Sequence, residues 1–182
     1  MDDITISIIG IMISSILMFL TPLVLIADRA DDIAQLSAQT ITSEFVNEVV
    51  RAGKITSDEY QTFISSLYAS GNTYDIDMEV KILDETPSKK VTDDTGTVGN
   101  NSYYSIFTSQ IEDKIGLSAQ NTINNRNGKL ILKQGDIIQV TVKNNSRTLS
   151  QTLKRVYFNL TGDDLHIIAA SSSGTITING AT

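Results

Sequence analysis

The chain has 182 residues and a formal net charge of −7, with 21 acidic residues against 14 lysines and arginines. This balance argues against nucleic acid as a partner, because phosphates would be repelled. The sequence contains no cysteine, which excludes disulfides, thiolate metal sites and a thiol nucleophile. Without its first fifty residues, the chain is still long enough for one small domain with its own core.

The N-terminus carries an uncharged, mainly apolar run of about 24 residues, from Ile4 to Ala27. This run exceeds the roughly 20 residues that a helix needs to cross the hydrocarbon core of a bilayer. It is too long for the apolar part of a secretory signal, acidic rather than basic residues precede it, and no clean cleavage site follows it. Residues 1–27 are therefore predicted to be a retained transmembrane helix, buried in lipid or among other helices.

Two features of this run bear on how it packs. Pro22 lacks the N–H that would bond the carbonyl of Met18, which predicts a kink or a locally unwound turn. Small residues share one face, at spacings that let two helix backbones approach closely. Chance alignment of small residues and ordinary tolerance of proline in membrane helices are the alternatives. The candidate packing residues are Ser7, Gly10, Ser14, Thr21 and Pro22.

Residues 28–53 continue the helix as an amphipathic segment. Apolar side chains recur at helical spacing, and charged and amide groups take the other positions. Gly53 supplies the C-terminal stop. We predict that this stripe packs on a globular head through Ile33, Leu36, Ile41, Phe45 and Val49.

The head, residues 54–182, is predicted to be an α+β domain with helices on one face of a small antiparallel sheet. Thr56 and Glu59 form a capping pattern for a helix over residues 57–69. Period-two alternation predicts a strand over 73–83, and residues 84–101 read as a long loop. Further elements are predicted in chain order: a short helix within 103–115, strands at 130–132 and 137–143, a helix over 149–160, and a closing hairpin of 165–169 and 174–178 that turns at 171–174.

The whole pattern, a charge-free helix with a proline near its membrane exit that continues into a small α+β head, resembles type IV pilin-like proteins. Two stretches, FVNEVVRAGKIT at 45–56 and GNTYDI at 71–76, are similar to Tad-type (tight adherence) pilin-like proteins of Gram-positive bacteria. The architecture covers the whole chain, and these two stretches cover 18 of its 182 residues, about a tenth.

The resemblance implies a structural subunit of a surface filament. Such proteins are inserted in the membrane, are often trimmed by a prepilin peptidase, and are polymerised by an ATPase-driven machine, so that their apolar helices leave lipid for the filament core. The implied partners are copies of the same chain and the assembly machinery. Pilins usually carry a Glu near the mature N-terminus that pairs with a neighbour's amine. Here position 5 is Thr5, and the resemblance leaves that pairing to Asp2 and Asp3.

No pattern in the sequence predicts catalysis or a cofactor. His166 is the sole histidine, and although Asp163, His166 and Ser171 could make a triad, nothing marks Ser171 as an activated nucleophile. Acids at 75, 77 and 79 share one face of a strand, where a flat backbone cannot wrap a calcium ion. Asn100, Asn144 and Asn159 each begin an Asn-x-Ser/Thr triplet, which matters only in a host that glycosylates such sites.

A second hypothesis is a single-pass, membrane-anchored binding or secretion-accessory protein that does not polymerise. Such a module usually has a flexible polar spacer between membrane and domain, and the sequence has none between Ala27 and Gly53. We therefore favour the filament subunit, located in the cell membrane before assembly and on the cell surface after it.

Overall fold

A computed structural model describes residues 2–83, 103–117, 128–146, 148–149, 152–153 and 168–180. The fold is α+β: one long helix packs on a small antiparallel sheet, an architecture consistent with that of pilin-like proteins. In chain order the elements are α1 (Asp2–Ala52), β1 (Lys54–Thr56), α2 (Ser57–Tyr68), β2 (Tyr74–Leu83), β3 (Tyr103–Phe107), α3 (Thr108–Lys114), β4 (Lys129–Ile131), β5 (Ile137–Asn144) and β6 (Ala169–Thr175).

Helix α1 joins the apolar run and the amphipathic segment without a break. Its 51 residues span about 75 Å at a rise of 1.5 Å per residue. The helical assignment continues across Pro22, so the locally unwound turn that the proline predicts does not form. One helix therefore runs from the N-terminus to the base of the head.

Gly53 ends α1 in a way that only glycine permits. Its φ of 63° lies in the left-handed region, and its N–H donates to the carbonyl of Val49 at 2.8 Å. A Cβ on Gly53 would also meet the backbone nitrogen of Gly180 at 2.7 Å. The chain turns sharply here into β1, which pairs antiparallel with β4. The sequence analysis did not predict β1.

The capping pattern at the start of α2 is confirmed. The Thr56 hydroxyl accepts from the N–H of Glu59, and the Glu59 carboxylate accepts from the N–H of Thr56, which completes a capping box. Tyr60, Phe63 and Leu67 are buried, whereas Tyr68 is exposed. Helix α2 thus turns one apolar face toward α1 and the sheet.

The main sheet has the order β3-β2-β5-β6, antiparallel throughout. The predicted strands β2 and β5 lie in its centre. The predicted closing hairpin is wrong: residues 171–174 do not turn but continue within β6, which pairs with β5 along its whole length. Small serines and a glycine fit an edge strand beneath a helix, and Gly174 lies where a Cβ would meet a methyl carbon of Val50 at 2.7 Å.

The segment after the predicted loop also differs from expectation. Residues 103–107 form strand β3 rather than the start of a helix, and the helix α3 occupies only Thr108–Lys114. Adjacent aromatic and β-branched residues favour a strand where a neighbour is available for pairing. The predicted loop at 84–101 and most of the predicted helix at 149–160 lie outside the described residues.

The core lies between the sheet and the two helices α1 and α2. At its centre the Phe45 ring stacks on Phe63, with ring centroids 4.4 Å apart, and Val49 and Val80 are fully buried. Burial and a 2.8 Å hydrogen bond to the Glu112 carboxylate raise the pKa of the Tyr60 hydroxyl. The C-terminal half of α1 is therefore part of the head and not an attachment to it.

Substitution of Phe45 tests this arrangement. Phe45→Ala should lower the free energy of unfolding by about 3–5 kcal/mol, because it leaves a cavity beside Phe63. Leu36→Ala, on the same helix but exposed, should change it by less than about 0.5 kcal/mol. Urea unfolding of both variants in mild detergent, followed by near-ultraviolet circular dichroism of the tyrosines, measures the difference. Equal decreases in the free energy of unfolding for the two variants would show that α1 is not in the core.

Candidate assembly surface

The N-terminal half of α1 exposes its apolar side chains on every side. Within residues 3–26 only Val24 is half-buried and the rest are exposed; Ile11 is 70% exposed and Phe19 is 75% exposed. Among the described residues, α1 is the one helix long and apolar enough to cross a membrane by length and composition. Surface of this kind requires a membrane or protein partner, because an apolar patch this large is costly in water.

The predicted small-residue face lies on this exposed half. Ser7, Gly10 and Ser14, together with Ile11, Ser15 and Met18, line a shallow groove of about 570 Å³. A Cβ added at Gly10 would meet no heavy atom within 4 Å, so no packing within the described chain requires a glycine there. Glycine inside a helix costs about 1 kcal/mol relative to alanine. Small side chains on this face permit the close approach of another helix backbone.

Two hydroxyl groups on this face are satisfied within the helix. Ser7 donates to the carbonyl of Asp3 and Thr21 donates to the carbonyl of Leu17, each at 2.8 Å. Such bonds to the preceding turn hide the hydroxyl from apolar surroundings. The face can therefore enter lipid or a helix bundle without leaving these two groups unsatisfied.

The predicted contact between helix and head is correct for its last part and wrong for its first. Phe45 and Val49 are buried in the core, and Ile41 packs against it half-buried. Ile33 and Leu36 are 69% and 68% exposed, so the prediction that they pack on the head is wrong. Four residues of an α-helix rotate by about 400°, which is 40° more than one full turn. Four such steps lead from Val49 back to Ile33, so the stripe has rotated by about 160° and Ile33 lies on the far side of the helix from Val49.

The residues that do contact the head in this stretch are small. Ala34, Ala38 and Thr42 are buried, and the Thr42 hydroxyl donates to the carbonyl of Ala38 at 2.7 Å. Small side chains bring the backbone of α1 close to the sheet. The signal was present in the sequence as three small residues spaced by four, but the larger apolar side chains beside them obscured it.

Polar contacts then tie this part of α1 to the head. The Gln35 amide accepts from the N–H of Ala169 at 2.9 Å and donates to its carbonyl. Gln39 donates to the carbonyl of Ser171 at 3.1 Å, and Asp31 accepts from the hydroxyl of Thr148 at 2.8 Å. The two glutamines thereby cover the first part of the outer edge of β6. Their sequence pattern did not predict this role.

The remaining candidate positions carry no further geometry. Asp2 and Asp3 lie in the first turn of α1, where acids are favoured by the helix dipole.

Of the residues that the structure describes, none form a cluster of three or more His, Asp or Glu side chains suited to a metal ion. His166, Asp163, Asn100 and Asn159 lie outside the described residues. The side-chain nitrogen of Asn144, where a glycan would attach, is buried.

Comparison with protein-family models, with curated proteins and with solved structures gives no match to this chain. Its function must be inferred from the residues and the geometry described above.

Removal of the exposed half of α1 should leave the head intact. Within residues 3–28, Ala27 is buried and Val24 and Asp28 are half-buried, so deletion of residues 1–28 removes little packing. The shortened chain should be soluble and should unfold cooperatively. A deletion of residues 1–47, which also removes Phe45 and Val46, is the matched control and should not fold, because both side chains are in the core. Size-exclusion chromatography and circular dichroism distinguish the outcomes. An unfolded 29–182 chain would place the boundary of the head earlier in α1.

Proposed function

We propose that this protein is a structural subunit of a type IV pilin-like surface filament, which polymerises by bundling the N-terminal halves of α1 from many copies. The observation that carries the proposal is one continuous helix, of which the first half is apolar and exposed all round and the second half buries one face in the head. The heads would then form the outer surface of the filament.

The first support is the mismatch between the two halves of α1. Apolar side chains on all faces of the first half have no partner in the described chain, while the second half has one buried stripe. Before assembly, a bilayer would cover the first half, which is long enough to span it. In the filament, copies of the same helix would cover it, and the subunit would then lie in the cell membrane first and outside the cell afterwards.

The second support is the rigid connection between helix and head. The helix contains no flexible spacer, and contacts from Asp31 through Val50 hold it to the sheet. A module that only needs an anchor gains nothing from such rigidity. A polymer does, because a fixed angle between helix and head gives every subunit the same orientation, which a regular helical assembly requires.

The third support is the groove at Gly10. In lipid, apolar side chains gain little by leaving one apolar environment for another, so helices associate through close backbone packing. A face of Ser7, Gly10 and Ser14 permits that approach, and the internally bonded hydroxyl of Ser7 adds no desolvation cost. The same face would let the helices of neighbouring subunits pack closely once they leave the bilayer.

Leucine substitutions on this face test the proposal. Gly10→Leu and Ser14→Leu should each reduce filament yield by at least about tenfold, equivalent to 1.4 kcal/mol per subunit, because the added side chain separates the packed backbones. Met12→Leu places the same residue nearly opposite Gly10 on the helix and should leave the yield unchanged. Electron microscopy and immunoblotting of sheared surface material give the yields, and protease resistance of the head confirms folding.

Three results would count against the proposal. Normal filaments from both groove variants would remove the packing face. Equal loss from Met12→Leu would show that the effect is not specific to that face. Wild-type protein that stays in the membrane as a monomer, with no sheared filament material in a strain that carries the assembly machinery, would favour the membrane-anchored module instead.

A further inference from the structure

The two edges of the main sheet differ in how they are protected. A free edge presents unpaired backbone N–H and C=O groups and invites another strand. At the β6 edge, Gln35 and Gln39 of α1 bond the outward backbone groups of Ala169 and Ser171. At the β3 edge, no helix or strand of the described chain lies beyond Tyr103–Phe107 in the sheet order.

The hydrogen-bond pattern shows which groups of β3 face outward. The N–H of Met78 donates to Thr108, so even-numbered residues of β2 point toward β3 and pair with Tyr104 and Ile106. In an antiparallel sheet the residues between them then direct their N–H and C=O groups to the opposite side. The outward residues are Tyr103, Ser105 and Phe107. Of their backbone groups, only the N–H of Phe107 has a described partner, which is the Gln110 side chain at 3.2 Å.

The side chains of β3 do nothing to discourage pairing. The strand YYSIF contains no charge and no proline, which are the usual devices that keep an edge single. Tyr103 is 43% exposed, Phe107 is 57% exposed, and Ser105 between them is also exposed. The carboxylate of Glu79 on the adjacent β2 accepts from the Ser105 hydroxyl at 2.6 Å, and the Lys81 ammonium 4.0 Å away offsets its charge.

We propose that the β3 edge pairs antiparallel with the β3 edge of a second copy, about a two-fold axis at Ser105. Both backbone groups of Ser105 point outward, so the two serines would exchange both hydrogen bonds as a directly opposed pair. Tyr103 then lies opposite Phe107 of the second copy on both sides of the axis. Such cross-strand aromatic pairs are favourable, and β3 itself carries no charge that would face its copy. The strand is therefore complementary to itself.

The symmetry decides where this contact forms. A two-fold axis that relates two antiparallel strands is perpendicular to the sheet, and it reverses every direction in the sheet plane. Helix α1 packs along the face of the sheet, so the two copies of α1 point in opposite directions. Two heads that project from one membrane cannot pair in this way, whereas heads on oppositely directed filaments can. One five-residue contact is small, but many copies along two filaments would act together.

Single-cysteine crosslinking of the full-length chain in detergent micelles tests the pairing. The native sequence has no cysteine, so Ser105→Cys introduces the sole thiol. Opposed residues of a hydrogen-bonded antiparallel pair have Cα atoms about 5.5 Å apart, within the range for a disulfide. Tyr103→Cys is the matched control on the same strand. Its two copies would lie about 13 Å apart along the strands, too far for a disulfide.

Mild oxidation should give at least about tenfold more disulfide-linked dimer from Ser105→Cys than from Tyr103→Cys on a non-reducing gel. Equal crosslinking of the two variants, or none from Ser105→Cys, overturns the proposal. A folded head in both variants is verified by circular dichroism. Addition of Gly10→Leu should not change the yield, because β3 lies outside the helix bundle; this separates the pairing from the proposed filament assembly.

A charge placed on the axis gives an independent measurement. Ser105→Glu would set two carboxylates directly opposite each other, beside the carboxylate of Glu79 in each copy, and should abolish lateral bundles of filaments while leaving single filaments at wild-type yield. Ser173→Glu adds the same charge at an exposed position on the other edge strand and should leave bundling unchanged. Bundles that persist in Ser105→Glu, or that are lost equally in Ser173→Glu, would show that β3 does not join the copies.

Discussion

The packing of the C-terminal half of α1 into the head core is the constraint on which the rest of the structure depends. Val46, Val49 and Phe45 contribute to the same cluster as the central strands β2 and β5. A helix that lies in the core cannot turn independently of the sheet. The direction of the exposed N-terminal half is therefore fixed by the fold of the head, although that half makes few contacts with it.

The strength of this connection varies along the helix. From Thr42 to Val50 the contacts are largely apolar and fully buried. Between Asp31 and Gln39 they consist of two buried alanines and a few hydrogen bonds, which individually contribute about 0.5–1.5 kcal/mol. The exposed Ile33 and Leu36 extend the apolar surface past the membrane-length segment and onto the side of the head, so the surface that needs a partner does not stop at Ala27.

Short sequence patterns predicted those elements of the fold that are determined by interactions between residues close together in the chain. The capping box at Thr56 and Glu59, the glycine stop at Gly53 and the alternation of β2 each specify their own element, and each is observed. Assignments that depend on distant partners were less successful. Strands β3 and β6 are strands because β2 and β5 lie beside them, and neither the serine cluster nor the aromatic run encodes that neighbour.

The face of α1 that contacts the head shows the same limit. A stripe of large apolar residues is the expected contact of an amphipathic helix, yet close approach to β6 favours Ala34 and Ala38 over Ile33 and Leu36. The glutamines that cover the β6 edge could not be distinguished from solvent-facing residues without knowing that an edge strand lies beneath them. Because this protection comes from α1 itself, it is available on one side of the sheet only. At the opposite edge, β3, no other helix or strand of the described residues lies beside the sheet, and the one described bond of an outward backbone group is that from the N–H of Phe107 to the Gln110 side chain.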